Sequence, residues 1–485
     1  MKELAQGENN FVIPPVDMSV ERSHGSLTTW YVNLALFFAG LILNSLAYVS
    51  VLPVAAASFF FAIGWVLLLV IGWGGEWEKM IYLRVFLVGW VAIGIAGVYV
   101  EILLDQLQLY SDAGGFFDLV RGATSGQSIE EIRDFTEGAL AVLFWREVYD
   151  FFATLGFPKE RYIGVLVNVE AVSLSAVFAL RMAQSIYGQD EQRFRRLILM
   201  FTWCGLYWLF AGIHLRDGLV LLVVVASMWI WLWYLKNPNL GIRLWALVGC
   251  SLMAGSTLTF LRTEFYFVPL ALGVSGVTAL IFRGDRQRMS LGSKLALLLG
   301  LLVVIAGIVW TWETLVGTLG RGAEAYLDLA RTQSDPDSLG MALIVEQPLP
   351  IRLVLGTIYL YLFPIPFWSG FQLDSAYALF KSFNVLFFYV LIPLLVMSFV
   401  KLWKDPIQRT PAQLFLLFTT IGFSVAIAAT SLESRHLGSF LVPVFLLALL
   451  PRLSEQKVRQ AYFQLTIVFL LGIELGHFVW ILLQA

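Results

Sequence analysis

Charge is what this sequence has least of. Only 14% of its 485 residues are Asp, Glu, Lys or Arg, against about a quarter in soluble domains. The formal net charge is −2, so the balance gives no reason to expect a nucleic-acid partner. Cysteine is nearly missing. Cys204 and Cys250 both fall inside apolar runs, which excludes a disulfide framework, a CxxC redox pair and metal-ligand spacing. There are four histidines: His24, His214, His436 and His477. The chain has no P-loop, no dinucleotide glycine fingerprint, no HExxH and no nucleophile elbow, so neither nucleotide energy nor a cofactor or metal is expected. Internal repeats and low-complexity tracts are also lacking.

Apolar sequence is abundant: 59% of the residues are hydrophobic. Runs of about 20 such residues recur, each long enough to cross a bilayer as a helix. The expected fold is therefore an all-α polytopic integral membrane protein. Spans are expected near 29–51, 53–73, 83–104, 161–183, 197–213, 217–235, 243–261, 264–282, 294–315, 383–403, 412–431, 437–452 and 461–483. A further piece, 351–368, contains Pro364 and Pro366 and reads as broken or re-entrant, because proline removes a backbone donor that lipid cannot replace. That gives about 13 crossings plus one broken hairpin. Residues 1–28 read as a polar tail and 29–485 as a single membrane domain, with long polar insertions at 105–160 and 316–350. Aromatic rings are plentiful, 17 Trp and 17 Tyr among them, as membrane-interface belts require.

Basic residues crowd four short loops: 193–196, 283–294, 401–409 and 452–459. Such loops stay in the cytoplasm. With 351–368 re-entrant, all four fall on that side together with the N-terminus, and the two long insertions emerge on the outer face of the cytoplasmic membrane.

The same parity brings three charged corners to the outer face: His214-Leu215-Arg216-Asp217-Gly218, Leu261-Arg262-Thr263-Glu264 and Glu433-Ser434-Arg435-His436. Ionised groups beside apolar spans cost about 2.5 kcal/mol or more at mid-membrane, so they need a partner, water or a purpose. Arginine stays charged and presents a planar fork suited to phosphate oxygens. A helix beginning at Asp217 would add amides that favour anions. Each corner also carries an acid (Asp217, Glu264 or Glu433), so the plainer reading is three separate Arg–carboxylate pairs, each fixing its own turn. Taken as a group, Arg216, Arg262 and Arg435 are the expected phosphate-binding residues. His214 and His436 lie beside them and are candidates to take a proton from a hydroxyl. In the first insertion, Tyr110 to Val120 places Asp112 just after a span. Residues 137–152, EGALAVLFWREVYDFF, read as an interfacial helix with Arg146, Glu147 and Asp150 on its polar side.

These features resemble the Wzy-type polysaccharide polymerases and the related GT-C glycosyltransferases, membrane enzymes that work on polyprenyl-linked sugars. The resemblance rests on Asp112 to Phe117, the HLRDGL corner, LRTEFYF, the LFPIPFW piece and ESRHLGSFLVP. It implies a glycosyltransferase or polymerase whose donor is a sugar on polyprenyl phosphate or diphosphate. The lipid tail would lie between spans and other polysaccharide-assembly proteins would be partners. It also implies a catalytic acid at Asp112, which the GT-C layout places in the first outer loop, or outer-face arginines at the diphosphate, as in polymerases. On that mechanism Asp112, His214 or His436 accepts the proton, and Trp145, Glu147 and Tyr149 form the sugar-binding group. The chain departs from the GT-C layout in having two spans before the one leading to Asp112, and in lacking paired acids there. The alternative from another class is a transporter or flippase for a lipid-linked oligosaccharide, which would also need broken helices and an anion site.

Overall fold

Apolar runs of this length satisfy their backbone polar groups in lipid only by forming helices or closed barrels. Helices are what form. The computed structural model describes residues 22–103, 111–122, 139–238, 241–262, 265, 267–282, 344, 347–364, 367–371, 376–406, 409–430 and 433–484, and no strand occurs among them. In chain order the α-helices are α1 (Arg22–Tyr48), α2 (Leu52–Val70), α3 (Glu76–Val98, continued by a π-turn Tyr99–Leu103), α4 (Ser111–Gly122), α5 (Ala139–Thr154) and α6 (Arg161–Tyr187). They continue with α7 (Glu191–Trp203), α8 (Gly205–Gly212), α9 (Asp217–Lys236), α10 (Ile242–Leu261), α11 (Val268–Ile281) and α12 (Leu349–Leu362). The last are α13 (Ala376–Lys404), α14 (Pro411–Thr430), α15 (Ser434–Gly438), α16 (Leu441–Ala448) and α17 (Gln456–Gln484). Pro53, Pro269, Pro350 and Pro411 each sit in the first two positions of a helix, where the missing N–H costs nothing.

Among the described residues, nine helices are long and apolar enough to cross a membrane: α1, α2, α3, α6, α9, α10, α13, α14 and α17. The chain is thus an all-α protein with many membrane-spanning helices. Three of the expected spans differ. Residues 197–213 do not form one helix: the chain breaks at Cys204, which is extended (φ −72°, ψ 106°) between α7 and α8. The break is held by α13. A Cβ on Gly205 would run into the Phe380 carbonyl and the Asn384 backbone, so only glycine allows this approach. The Asn384 Oδ1 accepts from the Leu206 N–H at 3.4 Å, replacing a bond the break frees. Residues 437–452 likewise split into α15 and α16, with Phe440 outside helical geometry (φ −120°, ψ 16°) and Pro443 in the first turn of α16. The span expected at 264–282 shortens to α11. The span expected at 294–315 and most of the 316–350 insertion lie outside the described residues, as does 1–21 of the expected tail; α1 begins at Arg22 rather than after residue 28.

The broken pieces are interior. Phe201 of α7 and Tyr207 of α8 both pack edge-on against Phe445 of α16. At the far end, Arg193 Nε donates to the Leu449 carbonyl at 3.0 Å and Arg196 to that of Pro451 at 2.9 Å, closing the C-terminus of α16. Ser398 near the end of α13 donates to the Leu447 carbonyl, so basic residues of the 193–196 and 401–409 loops share one end of the bundle. Helix α6 is the central post, with 89% of its most apolar stretch buried, whereas none of that of α17 is.

Residues 351–368, expected to be broken or re-entrant, form a helix that ends before Pro364 and is followed by a turn. Helix α12 starts where Arg352 donates to the Ala429 carbonyl at the end of α14 (3.1 Å) and runs inward until the Tyr361 hydroxyl meets that of Ser424. The chain then turns, Lys381 lies over the Phe363 ring, and α13 begins beside Glu433. Both α12 and α13 therefore start at the same end of the bundle.

Candidate functional site

Three turns at that end, each made for a different local reason, meet. The first is 213–217, between α8 and α9. Asn168, two turns into α6, holds it by donating through one Nδ2 to the carbonyls of Ile213 (2.9 Å) and Leu215 (2.7 Å). Gly218 rests against Asn168, so α9 starts pressed onto α6 with Asp217 as its buried first residue. The second is Arg262, an extended residue (φ −159°, ψ 108°) that ends α10, with its guanidinium 5.2 Å over the Phe265 ring. The third is α15, whose N-cap Glu433 accepts from the Arg435 N–H.

The acids do not simply pair within their own turns. Asp217 of the first turn takes Arg262 of the second: Nη1 to Oδ1 is 3.0 Å, with both side chains at least 95% buried. The other arm of Arg262 makes a short contact with Nε2 of His436 in the third turn. A hydrogen-bonded chain, Asp217–Arg262–His436, thus ties the three turns together. Arg216 and Arg435 are close enough to act on the same imidazole: burial first, then Arg262, Arg435 and Arg216, hold His436 well below the ordinary histidine range. Because guanidinium only donates, Nε2 must accept, which places the proton of neutral His436 on Nδ1. The lone pair that a general base would use is already engaged. In this geometry His436 acts as a donor, not as the expected proton acceptor.

A second set of side chains closes the other side of α15. The Tyr377 hydroxyl donates to Glu433 Oε1 in a short bond. Lys381, one turn on, lies over the Tyr377 and Phe363 rings. Burial alone would raise the Glu433 carboxyl, but Lys381, Arg435 and the bond from Tyr377 outweigh it and hold the group below its usual value. Among the described residues the cluster carries four cations (Arg216, Arg262, Arg435, Lys381) against two carboxylates (Asp217, Glu433). Such an excess of positive charge, with Arg262 and Arg435 buried and Arg216 and Lys381 half-buried, suits an anion. Glu264 lies outside the described residues.

The remaining expected site residues do not join it. His214 is fully buried in a box of four rings, Phe116 and Phe117 from α4 and Trp145 and Tyr149 from α5. Burial and nearby Arg161 push it down to about 3. Enclosed in this way it presents no exposed surface to a substrate hydroxyl. Trp145 and Tyr149, expected to stack a sugar, are core residues whose polar ends bond to Gly164: Trp145 Nε1 to its carbonyl (3.0 Å), and Tyr149 accepting from its N–H (3.1 Å). Glu147 points the other way, exposed and paired with Arg146. The three therefore share no face. Asp112 is the second residue of α4, and its side chain lies outside what is described. No group of three or more His, Cys, Asp or Glu arranged to hold a metal occurs among the described residues.

The sequence reading passed over Asn168, Tyr377 and Lys381. Two of them left a signal: Asn168 is a lone amide in a long apolar run, and Lys381 a lone cation near the start of another. Compared with protein-family models, curated proteins and solved structures, the chain matches none.

Proposed function

We propose that this protein is a membrane glycosyltransferase or polysaccharide polymerase whose donor is a sugar on polyprenyl phosphate or diphosphate, acting at the outer face of the cytoplasmic membrane with its N-terminus inside. The observation that supports this reading best is the meeting of Arg216, Arg262 and Arg435 around His436, tied through Asp217, at one end of a helical bundle. Three of the basic loops, 193–196, 401–409 and 452–459, come together at the opposite end, in keeping with a cytoplasmic side.

In the reaction proposed, an acceptor hydroxyl oxygen bonds to the anomeric carbon of the donor while the bond from that carbon to the phosphate oxygen breaks. The electron pair leaves with the lipid phosphate. Preorganised guanidinium groups, with the Nδ1–H of His436 beside them, stabilise that developing charge at no reorganisation cost. The acceptor's proton goes to a carboxylate, for which Asp112 is the candidate the resemblance implies. The test is glycan assembly by the purified protein in nanodiscs, given a polyprenyl-diphosphate-linked oligosaccharide. Arg216→Ala and Arg435→Ala should abolish product while folded protein remains. Full activity in both variants would remove the proposal.

The rival reading, a flippase for the same lipid-linked glycan, draws support from the broken interior pairs α7/α8 and α15/α16, since interrupted helices line transport paths. Movement of a fluorescent lipid-diphosphate analogue across vesicles, without bond formation, would favour it.

A further inference from the structure

Glu433 is out of place on charge alone, because a carboxylate at the rim of an anion site repels the ligand. Its contacts explain why it is there. It caps α15 by accepting from the Arg435 N–H, and it takes the Tyr377 hydroxyl from the first turn of α13. Lys381 and Arg435 flank it electrostatically, and Tyr359 of α12 feels its charge. One carboxylate thereby connects the helix that carries Arg435 and His436 to α13. An isolated five-residue helix such as α15 has no stability of its own. Its orientation depends on what grips its ends: Gly438 is packed on the Phe210 ring at the C-terminal end, and Glu433 holds the N-terminal end.

We infer that Glu433 and Tyr377 are positioning residues for the anion site: the Tyr377–Glu433 bond sets the placement of Arg435 and His436, and so the affinity for a phosphate-bearing lipid. This rests on the anion-site reading above. The consequence runs against simple electrostatics. Removing a negative charge near a bound anion should tighten binding, whereas removing a positioning acceptor should weaken it despite the charge gained.

The experiment uses the full chain in nanodiscs, with farnesyl diphosphate as the probe and farnesol as the uncharged control. Glu433→Ala and Tyr377→Phe should each weaken diphosphate binding about tenfold, the size of one charge-assisted hydrogen bond. The double variant should be no weaker than Glu433→Ala alone, since that variant already removes the Tyr377 contact. Glu433→Gln, which keeps the acceptor oxygen but not the charge, should restore affinity to within about threefold of the parent protein. Unchanged or tighter binding by Glu433→Ala would overturn the inference. So would additive losses in the double variant, or a Glu433→Gln as weak as Glu433→Ala. Tyr377→Phe, which removes only a hydroxyl, keeps the test decisive should Glu433→Ala fail to fold. If the parent protein does not tell farnesyl diphosphate from farnesol, the anion site itself is wrong; if it does and these variants behave otherwise, only the positioning role fails.

Discussion

Replacing Arg262 by Gln should be the most damaging single change at the site, and its cost can be worked from the geometry. The Arg262–Asp217 contact is 3.0 Å long, and the side chains are 5% and 3% exposed. At that distance two unit charges attract by about 5 kcal/mol in a medium of effective dielectric near 20. Most of this offsets the desolvation of the two ions, so the net value of the pair is small. Breaking it is another matter, because Asp217 stays buried with its partner gone. That costs about 3–5 kcal/mol, and the contact to His436 goes with it. A second substitution, Asp217→Asn, removes the stranded charge. The expected pattern is therefore strong coupling: Arg262→Gln loses about 3–5 kcal/mol, while Arg262→Gln/Asp217→Asn recovers a large share of it. Equilibrium unfolding in mixed micelles, followed by tryptophan fluorescence, measures the cycle. A loss below about 1 kcal/mol in Arg262→Gln, or strictly additive effects, would refute the claim that this pair joins the first and second turns.

Other perturbations test the neighbouring parts. Gly164→Ala should destabilise the protein by about 1–3 kcal/mol, because the new methyl would overlap His214 and the Tyr149 hydroxyl in a box with no spare room; a neutral thermal shift would mean the box is loose. Asn168→Leu removes two bonds to the carbonyls of Ile213 and Leu215, leaving buried acceptors at about 1–3 kcal/mol each. Lipid-diphosphate affinity should fall in that variant, although residue 168 touches no ligand. The pH response has two parts. Glu433 is held below its ordinary value, so its contribution is present above about 4.5 and is lost as the pH falls through the folded-state value. His436 and His214 stay neutral in the fold but take up a proton when unfolded below about 6.5. Stability should therefore decline below that pH, less steeply in His436→Gln, while anion binding by the folded protein stays level down to about pH 5.

The membrane class and most of the helices were legible in the sequence because lipid leaves an apolar run one inexpensive option. Among the described residues, nine of the expected spans appear as long apolar helices, and the proline-marked piece is interrupted after Leu362. Hydropathy failed where tertiary contacts replace lipid. Residues 197–213 and 437–452 are long apolar runs, yet both break: in the first, Asn384 accepts from the Leu206 N–H inside protein, and in the second Pro443 has no N–H with which to carry the helix back through Phe440. The arginine corners were visible as charges next to apolar runs. Which acid each would take was not, since Arg262 pairs with Asp217 across 45 residues and the sequence offered a nearer acid. The aromatic insertion misled for a related reason: Trp145 and Tyr149 carry the residue types that bind sugars, but burial around His214 uses both up.

Central to all of this is an anion held by arginines from separate turns, and the measurement closest to it is diphosphate binding with the structural pair left intact. Arg216→Gln/Arg435→Gln keeps the Arg262–Asp217 contact, so the protein should remain folded. In nanodiscs the parent protein should bind farnesyl diphosphate at least about a hundredfold more tightly than farnesol, and the double variant should lose most of that preference. An undiminished preference in a folded double variant would contradict the account.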